Sequence, residues 1–324
     1  MRLENNNKIL FNSDTMKLNN NKFFYYPLIL SIVIFLCFSC SNSKNDLTDS
    51  ENSADDYNEN LLETLPSRSD DYSKVWEDHF TDESINTNYW TVGTLRDPNS
   101  GDIVPGADGD HLLKDKYSGY VTVEDSYIED GALVLRNQKR SYTGTSPSGN
   151  YNYTSGWAMT MHKVFLNKGY IEIRAQFPSG DKVWPALWLI AEDLVWGPEW
   201  DMFEYFGKNN VGNDVMGMHL LVDEWPNQKW DTGYIFNFDA LYNCEAWHIY
   251  GFEWTEEKAV WTVDGEVKRE LNRTDLSPNR IGKWPNEDMY IVINNEVQTN
   301  APDTNTNWPN YLKIDYVEIY KKND

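Results

Sequence analysis

Cysteine is scarce in this chain: there are 3 in 324 residues, and Cys37 and Cys40 fall together at the end of an early apolar run. Only Cys244 is left for the body, so no internal disulfide is available and stability has to come from a core. Positive charge is scarce too. Against 51 Asp and Glu there are 28 Lys and Arg, a net charge of −23, which argues against a nucleic-acid partner because such binding runs on phosphate neutralisation. The same acidity counts weakly against a highly sulfated polyanion, although a local basic cleft overrides such an average; a solvated acidic surface is the plain reading. Helical periodicity is missing over any long window. So are His and Cys at zinc spacing, a Gly-rich phosphate loop and a Ser-centred elbow.

What is present begins with an export signature. The apolar run from Pro27 to Phe38 is too short for a comfortable membrane span and suits the core of a signal peptide. Met16-Lys17-Leu18 is a better start than Met1, since Lys17 and Lys22 then form a compact positive region ahead of that core. The run ends at Phe38-Ser39-Cys40, which resembles the lipobox of bacterial lipoproteins, with Cys37 where Leu is usual. That resemblance implies a lipid on Cys40 and an outer-membrane or cell-surface anchor; a plain signal peptide and a secreted protein is the competing reading. Residues 1–40 are therefore expected to be the signal segment. Residues 41–70, almost all Ser, Asn, Asp, Glu and Thr, are expected to be a disordered acidic tether. Residues 71–324 then form one domain, ample for a full core.

That domain reads as strands. Asp130-Gly131, Pro178-Ser179-Gly180 and Asp264-Gly265 punctuate short β-branched and aromatic runs, and an all-β sandwich follows. From Tyr170 to Phe177, Ile171, Ile173, Ala175 and Phe177 alternate with Tyr170, Glu172, Arg174 and Gln176, so one face is core and the other polar.

Glu199-Trp200-Asp201-Met202-Phe203-Glu204 is the most informative stretch. Acids inside so apolar a run are costly unless they do chemistry. Alternation puts Glu199 and Asp201 on one strand face and Glu204 on the other; one extra residue, a β-bulge, restores Glu204 to its partners and sends Trp200 and Met202 into the core. Crowded carboxylates drive their pKa values apart. A nucleophile and an acid/base about 5–5.5 Å apart, one ionised and one protonated, are what a retaining glycosidase requires.

The surrounding motifs carry a family resemblance. Glu199 to Glu204 resembles the ExDxxE strand of glycoside hydrolase family 16, which includes laminarinases, agarases and carrageenases. Trp184-Pro185-Ala186-Leu187-Trp188-Leu189 resembles its WPAxWL strand, and Thr154-Ser155-Gly156 and Gly169 to Ala175 resemble its TSG and GxxExRA segments. Met218-His219, Tyr250 to Thr255 and Ile314 to Tyr320 match its later strands in the right order. The resemblance implies a β-jelly roll of two curved sheets with an open concave cleft, Glu199 as nucleophile, Glu204 as acid/base and Asp201 as their orienting neighbour. It further implies substrate contacts from Trp184, Trp188, Glu172, Arg174 and His219. Among the remaining tryptophans, Trp157, Trp225, Trp230, Trp284 and Trp308 are read as core by default, with one or two lining subsites. Two departures stand out: Trp200 replaces the usual aliphatic residue, and Asn294-Asn295-Glu296 stands where β-1,3-glucanases commonly carry an apolar-Gly-Gly segment.

The leading expectation is thus an endo-β-glycanase acting on β-1,3 or β-1,4 bonds, with β-glucan slightly ahead of agar-, porphyran- or carrageenan-type galactans. Transglycosylation and a non-catalytic lectin on the same scaffold are the rivals. Two-carboxylate chemistry requires no cofactor; a structural calcium stays open, since the aspartates of the Arg96 to Gly119 insertion are too irregularly placed to read one from. That insertion either walls one end of the cleft or is inert surface. The partners expected are the polysaccharide and the membrane, the protein acting as a monomer.

Overall fold

A computed structural model of the chain describes residues 59–106, 118–209, 211–223, 229–238 and 243–324, with backbone alone at 229–233. The expected signal segment, Cys40 and the greater part of the expected tether lie outside the described residues. The turn-bounded runs form strands β1 (Tyr72–Asp78), β2 (Thr91–Val92), β3 (Gly119–Val121), β4 (Ser126–Glu129), β5 (Ala132–Thr145), β6 (Ser148–Met159), β7 (Phe165–Leu166) and β8 (Gly169–Gln176). They continue as β9 (Val183–Ala191), β10 (Glu199–Lys208), β11 (Asp214–Val222), β12 (Lys229–Asn237), β13 (His248–Trp254), β14 (Lys258–Val263), β15 (Glu266–Asn272), β16 (Met289–Val297) and β17 (Asn310–Lys322).

Two antiparallel layers result. The back sheet runs β15-β14-β13-β8-β17, with β1 and β5 sharing the far edge of β17 and β4 beyond β5. The front sheet runs β12-β11-β10-β9-β16, with β7 and β6 sharing the far edge of β16 and β2 beyond β6. The β5–β6 hairpin joins the layers, and β3 adds to β6 in parallel. This is the all-β sandwich expected. Asp130-Gly131 and Asp264-Gly265 turn their hairpins with φ of 52° and 75°, and 51° and 80°, the left-handed pair that a tight two-residue turn demands.

The core lies between the sheets. Ile171, Ile173, Ala175 and Phe177 enter it from the back, and Leu187, Leu189, Trp200, Met202, Phe203 and Tyr205 from the front. Trp200 sits at its centre, with Phe252, Trp254, Trp261 and Trp284 at ring-centroid distances of 5.4, 6.1, 5.7 and 5.2 Å. A ring that buries roughly 150–250 Å² contributes about 4–6 kcal/mol before its entropic cost. The departure at Trp200 is thus absorbed by an aromatic cluster.

One boundary needs correction. Residues 59–70, assigned above to a disordered tether, are folded: helix α1 (Glu59–Leu62) and a 3-10 turn (Pro66–Arg68) lie against the back sheet. Leu65, 1% exposed, packs on Tyr170, Ile249 and Tyr320. The polar average of the segment hid its few leucines, and these are what dock it.

Candidate active site

Simple alternation along β10 sets Glu199 and Asp201 on one face. Glu204 joins them because the register slips there: opposite β9, Asp201 pairs with Trp188 but Phe203 with the adjacent Leu187. Met202 is the extra residue. Trp200, Met202, Phe203 and Tyr205 consequently all enter the core, while the three carboxylates line one pocket on the outer face of the front sheet, with Trp184, Trp188, Asn294 and Gly106. Glu199 and Asp201 are buried; Glu204 is half-buried.

Each glutamate receives an indole. The Trp196 N–H donates to Glu199 Oε2 at 2.9 Å, and the Trp184 N–H donates to Glu204 Oε1 at 2.8 Å. Trp188 turns its N–H to Asn294 Oδ1 at 2.7 Å, and the Asn294 amide donates back to the Trp184 carbonyl at 3.2 Å. The rings are thereby locked in place by their polar ends. His219 reaches Glu204 from β11, its Nε2 3.7 Å from Oε2, a contact longer than a hydrogen bond. A carboxylate so near favours imidazolium, yet burial first and the Arg269 guanidinium second push the ring down to about 4. His219 is neutral at ordinary pH.

Trp184 and Trp188 thus line one pocket with the three acids, and His219 lies beside Glu204. Glu172 and Arg174 do neither. They belong to β8 in the back sheet, and their side chains point away from the core on the side opposite the pocket. Glu172 is fully buried there, accepting hydrogen bonds from Ser67, from Tyr316 at 2.9 Å and from Tyr170 at 3.1 Å. Arg174 pairs with Asp315 at 2.8 Å and stacks over Trp247. The polar face of β8 is a structural face, not a sugar face. Of the other tryptophans, Trp157 and Trp284 are buried, and Trp308 packs on Tyr153; Trp225 and the Trp230 side chain lie outside the described residues.

Three members of the site were missed from sequence: Trp196, Asn294 and Gly106. An aromatic three residues before an acid, across a Gly-Pro pair, was a readable signal for Trp196; Gly197 at φ 91° turns the chain between them. Asn294 was visible only as a departure from pattern. Nothing local marks Gly106. Away from the pocket, Glu77, His79 and Glu318 bring three ligand atoms together, but the Lys74 ammonium already sits on Glu77 and Glu318 at 2.7 and 2.8 Å.

The profile of Glycosyl hydrolases family 16 matches residues 116–318. The chain belongs to that family. Among family relatives, it is 28% identical over 264 residues to a glucan endo-1,3-β-glucosidase A1 of Niallia circulans, covering 76% of this chain and 38% of that protein. It is 23% identical over 271 residues to a keratan-sulfate endo-1,4-β-galactosidase of Sphingobacterium multivorum, covering 81% of this chain and 58% of that one. The chain therefore spans well under two thirds of either relative. In structure it resembles the catalytic domain of an endo-1,3-β-glucanase (laminarinase) from Thermotoga petrophila RKU-1, at TM-score 0.64 and 25% identity, covering 78% of this chain and 99% of that one. The family-16 jelly roll is thus the fold of the described domain.

Proposed function

We propose that this protein is a retaining endo-β-glycanase that cuts internal β-1,3 or β-1,4 bonds of a polysaccharide. The observation that carries the proposal is the bulge at Met202, which gathers Glu199, Asp201 and Glu204 in one aromatic-walled pocket. Retention proceeds by two displacements. Glu199 attacks the anomeric carbon while Glu204 gives its proton to the departing glycosidic oxygen, leaving a glycosyl ester on Glu199. Glu204, now a carboxylate, takes a proton from water, whose oxygen attacks the same carbon and frees Glu199. The Trp196 N–H favours the ionised form that attack needs. The Trp184 N–H donates to Oε1 of Glu204 and so fixes the orientation of the carboxyl that gives up the proton. Asp201, between the two, orients Glu199, and neutral His219 offers a hydrogen bond to sugar beside Glu204.

A β-glucan is the substrate we favour. A galactan is the second reading, and Asn294 supports it: its amide, held between Trp184 and Trp188, gives the pocket a polar group in place of an apolar-Gly-Gly segment. We further propose that a lipid on Cys40 holds the enzyme at the cell surface. The test is reducing-end release from laminarin, mixed-linkage glucan, agarose, porphyran and κ-carrageenan, with Glu199→Gln as control and the anomer of the first product read by NMR. Release of a β-anomer from one polymer, lost in the control, supports the reading. Binding without release from any of them would instead make the protein a lectin.

A further inference from the structure

Over β6, β16 and the Ile190 end of β9, the outer face of the front sheet is not a cleft at all. Trp157 and Met159 of β6, Tyr290 and Val292 of β16 and Ile190 of β9 point to that face, and all are fully buried. What covers them is the chain just after β2. Leu95 and Val104 lie on these rings and side chains as a second hydrophobic core. The segment closes on itself as a small hairpin, with the Val104 N–H donating to the Leu95 carbonyl at 2.7 Å and a bridge between Arg96 and Ile103.

The hairpin is latched as well as packed. Its buried Asp97 meets His162 Nε2 at 2.9 Å, and His162 in turn pairs with Glu192. Its end reaches the chemistry: a Cβ on Gly106 would stand 2.7 Å from Glu199 Oε2 and 3.2 Å from the Trp188 ring, at a φ of 78°. Only a residue without a side chain fits there beside the expected nucleophile. Towards β11 and β12 the face is different in kind. A row of rings crosses from Trp184 of β9 through Phe206 of β10 to His219 of β11, with ring centroids 6.2 and 5.8 Å apart. Gly217 lies bare beneath it, since a Cβ there would meet Phe206 and His219 at 2.3 Å. Beyond it Ile235, paired with Gly217, is 56% exposed.

We propose that the Leu95–Gly106 hairpin fills one arm of the glycan cleft, so that sugar rings are gripped only on the Phe206–His219 side of the scissile bond. On the hairpin side, the glycan has room for the ring over Glu199 and must then leave the surface. This rests on the glycanase reading above and narrows it: bonds are still cut within a chain, but recognition is one-sided. The hairpin, not the carboxylates, then sets where along an oligosaccharide the cut falls.

The test is a length series. End-labelled β-1,3-gluco-oligosaccharides and, in parallel, agaro-oligosaccharides of increasing length are digested by the full protein, and kcat/KM is recorded with the bond cut. The expected result is a cut at a fixed distance from one end. Rings added on the gripped side raise kcat/KM roughly threefold to tenfold each until the arm is full, as a stacking contact would; rings added on the hairpin side change it by less than about twofold. In a Leu95→Ser/Val104→Ser variant shown folded by thermal melting, cuts spread to new bonds. Cuts that spread with length in the unaltered protein, or rates that rise with rings on both sides, overturn the one-sided arm and leave the glycanase reading intact. If neither series is cut, titration of the same ladders into Glu199→Gln decides: affinity that rises with rings at one end only supports the proposal, affinity that rises at both ends overturns it, and no binding of either series overturns both readings.

Discussion

Strands β8 and β10 carry much the same pattern to opposite ends. Both send apolar side chains into one core and set acid on the other face, three carboxylates on β10 and one on β8. On β10 those carboxylates line a pocket with Trp184 and Trp188. On β8, Glu172 is sealed beneath residues 66–68, its oxygens taken up by Ser67, Tyr170 and Tyr316. A buried acid is therefore not yet a catalytic acid. What distinguishes the two is whether the polar face is covered by the chain's own hydroxyl donors or left facing a space that a substrate can enter.

The sharpest way to break the comparison is to remove one carboxylate from each strand. Glu199→Gln should lower kcat by about 10⁴-fold or more, because no ester can form, with the melting temperature nearly unchanged. A Glu199→Gln enzyme that kept its rate would end the assignment of β10. The next test uses pH. Burial holds His219 near 4 against an ordinary value of 6.5, so the unfolded chain binds a proton that the folded one refuses as pH falls between those values. Stability present above pH 6.5 should therefore be lost towards pH 4, by about 3 kcal/mol from this ring alone. Denaturant melts at pH 7 and pH 4.5 should show that slope in the parent, diminished in His219→Gln; an equal slope in both would mean that the aromatic row leaves the ring hydrated.

Trp196→Phe keeps the ring and deletes the N–H on Glu199. Losing a hydrogen bond to a charged group costs about 1.5–3 kcal/mol, so kcat/KM should fall roughly tenfold to a hundredfold, with the acid limb of the pH–rate profile moving to higher pH. An unmoved limb would reduce Trp196 to packing. The smallest catalytic effects belong to β8. Glu172→Gln should cost about 1–3 kcal/mol of stability through its lost hydroxyl bonds, and Arg174→Ala about 1 kcal/mol through a partly exposed ion pair with Asp315, both with kcat/KM within about twofold of the parent. A hundredfold loss from either would return the back sheet to the substrate.

Much of this was legible because it is local. Five positions from Glu199 to Glu204 put them out of phase in a regular strand, so a bulge between them was readable from the spacing, and the fold puts it at Met202. The alternation of Tyr170 to Phe177 sorted core from polar faces correctly. It failed at the next step because in-or-out is a property of the strand, whereas front-or-back is a property of its partners. Pairing β8 with His248–Trp254 and with Lys313–Tyr320 puts it in the back sheet, and those partners lie far off in sequence. The same limit hid the leucines that dock residues 59–70 and the hairpin that packs on the front sheet.

The sequence by itself determined the sandwich, the inward and outward faces of its strands, the bulge and the identity of the three acids. A period of two, a turn pair and a counted spacing are all written within a dozen residues. Only the tertiary structure decided which polar face meets sugar, which indole serves which glutamate, and that Leu95 and Val104 close one arm of the cleft. Each of those outcomes depends on surfaces brought together by long-range pairing, where burial by a distant segment settles whether a side chain reacts, supports or merely fills.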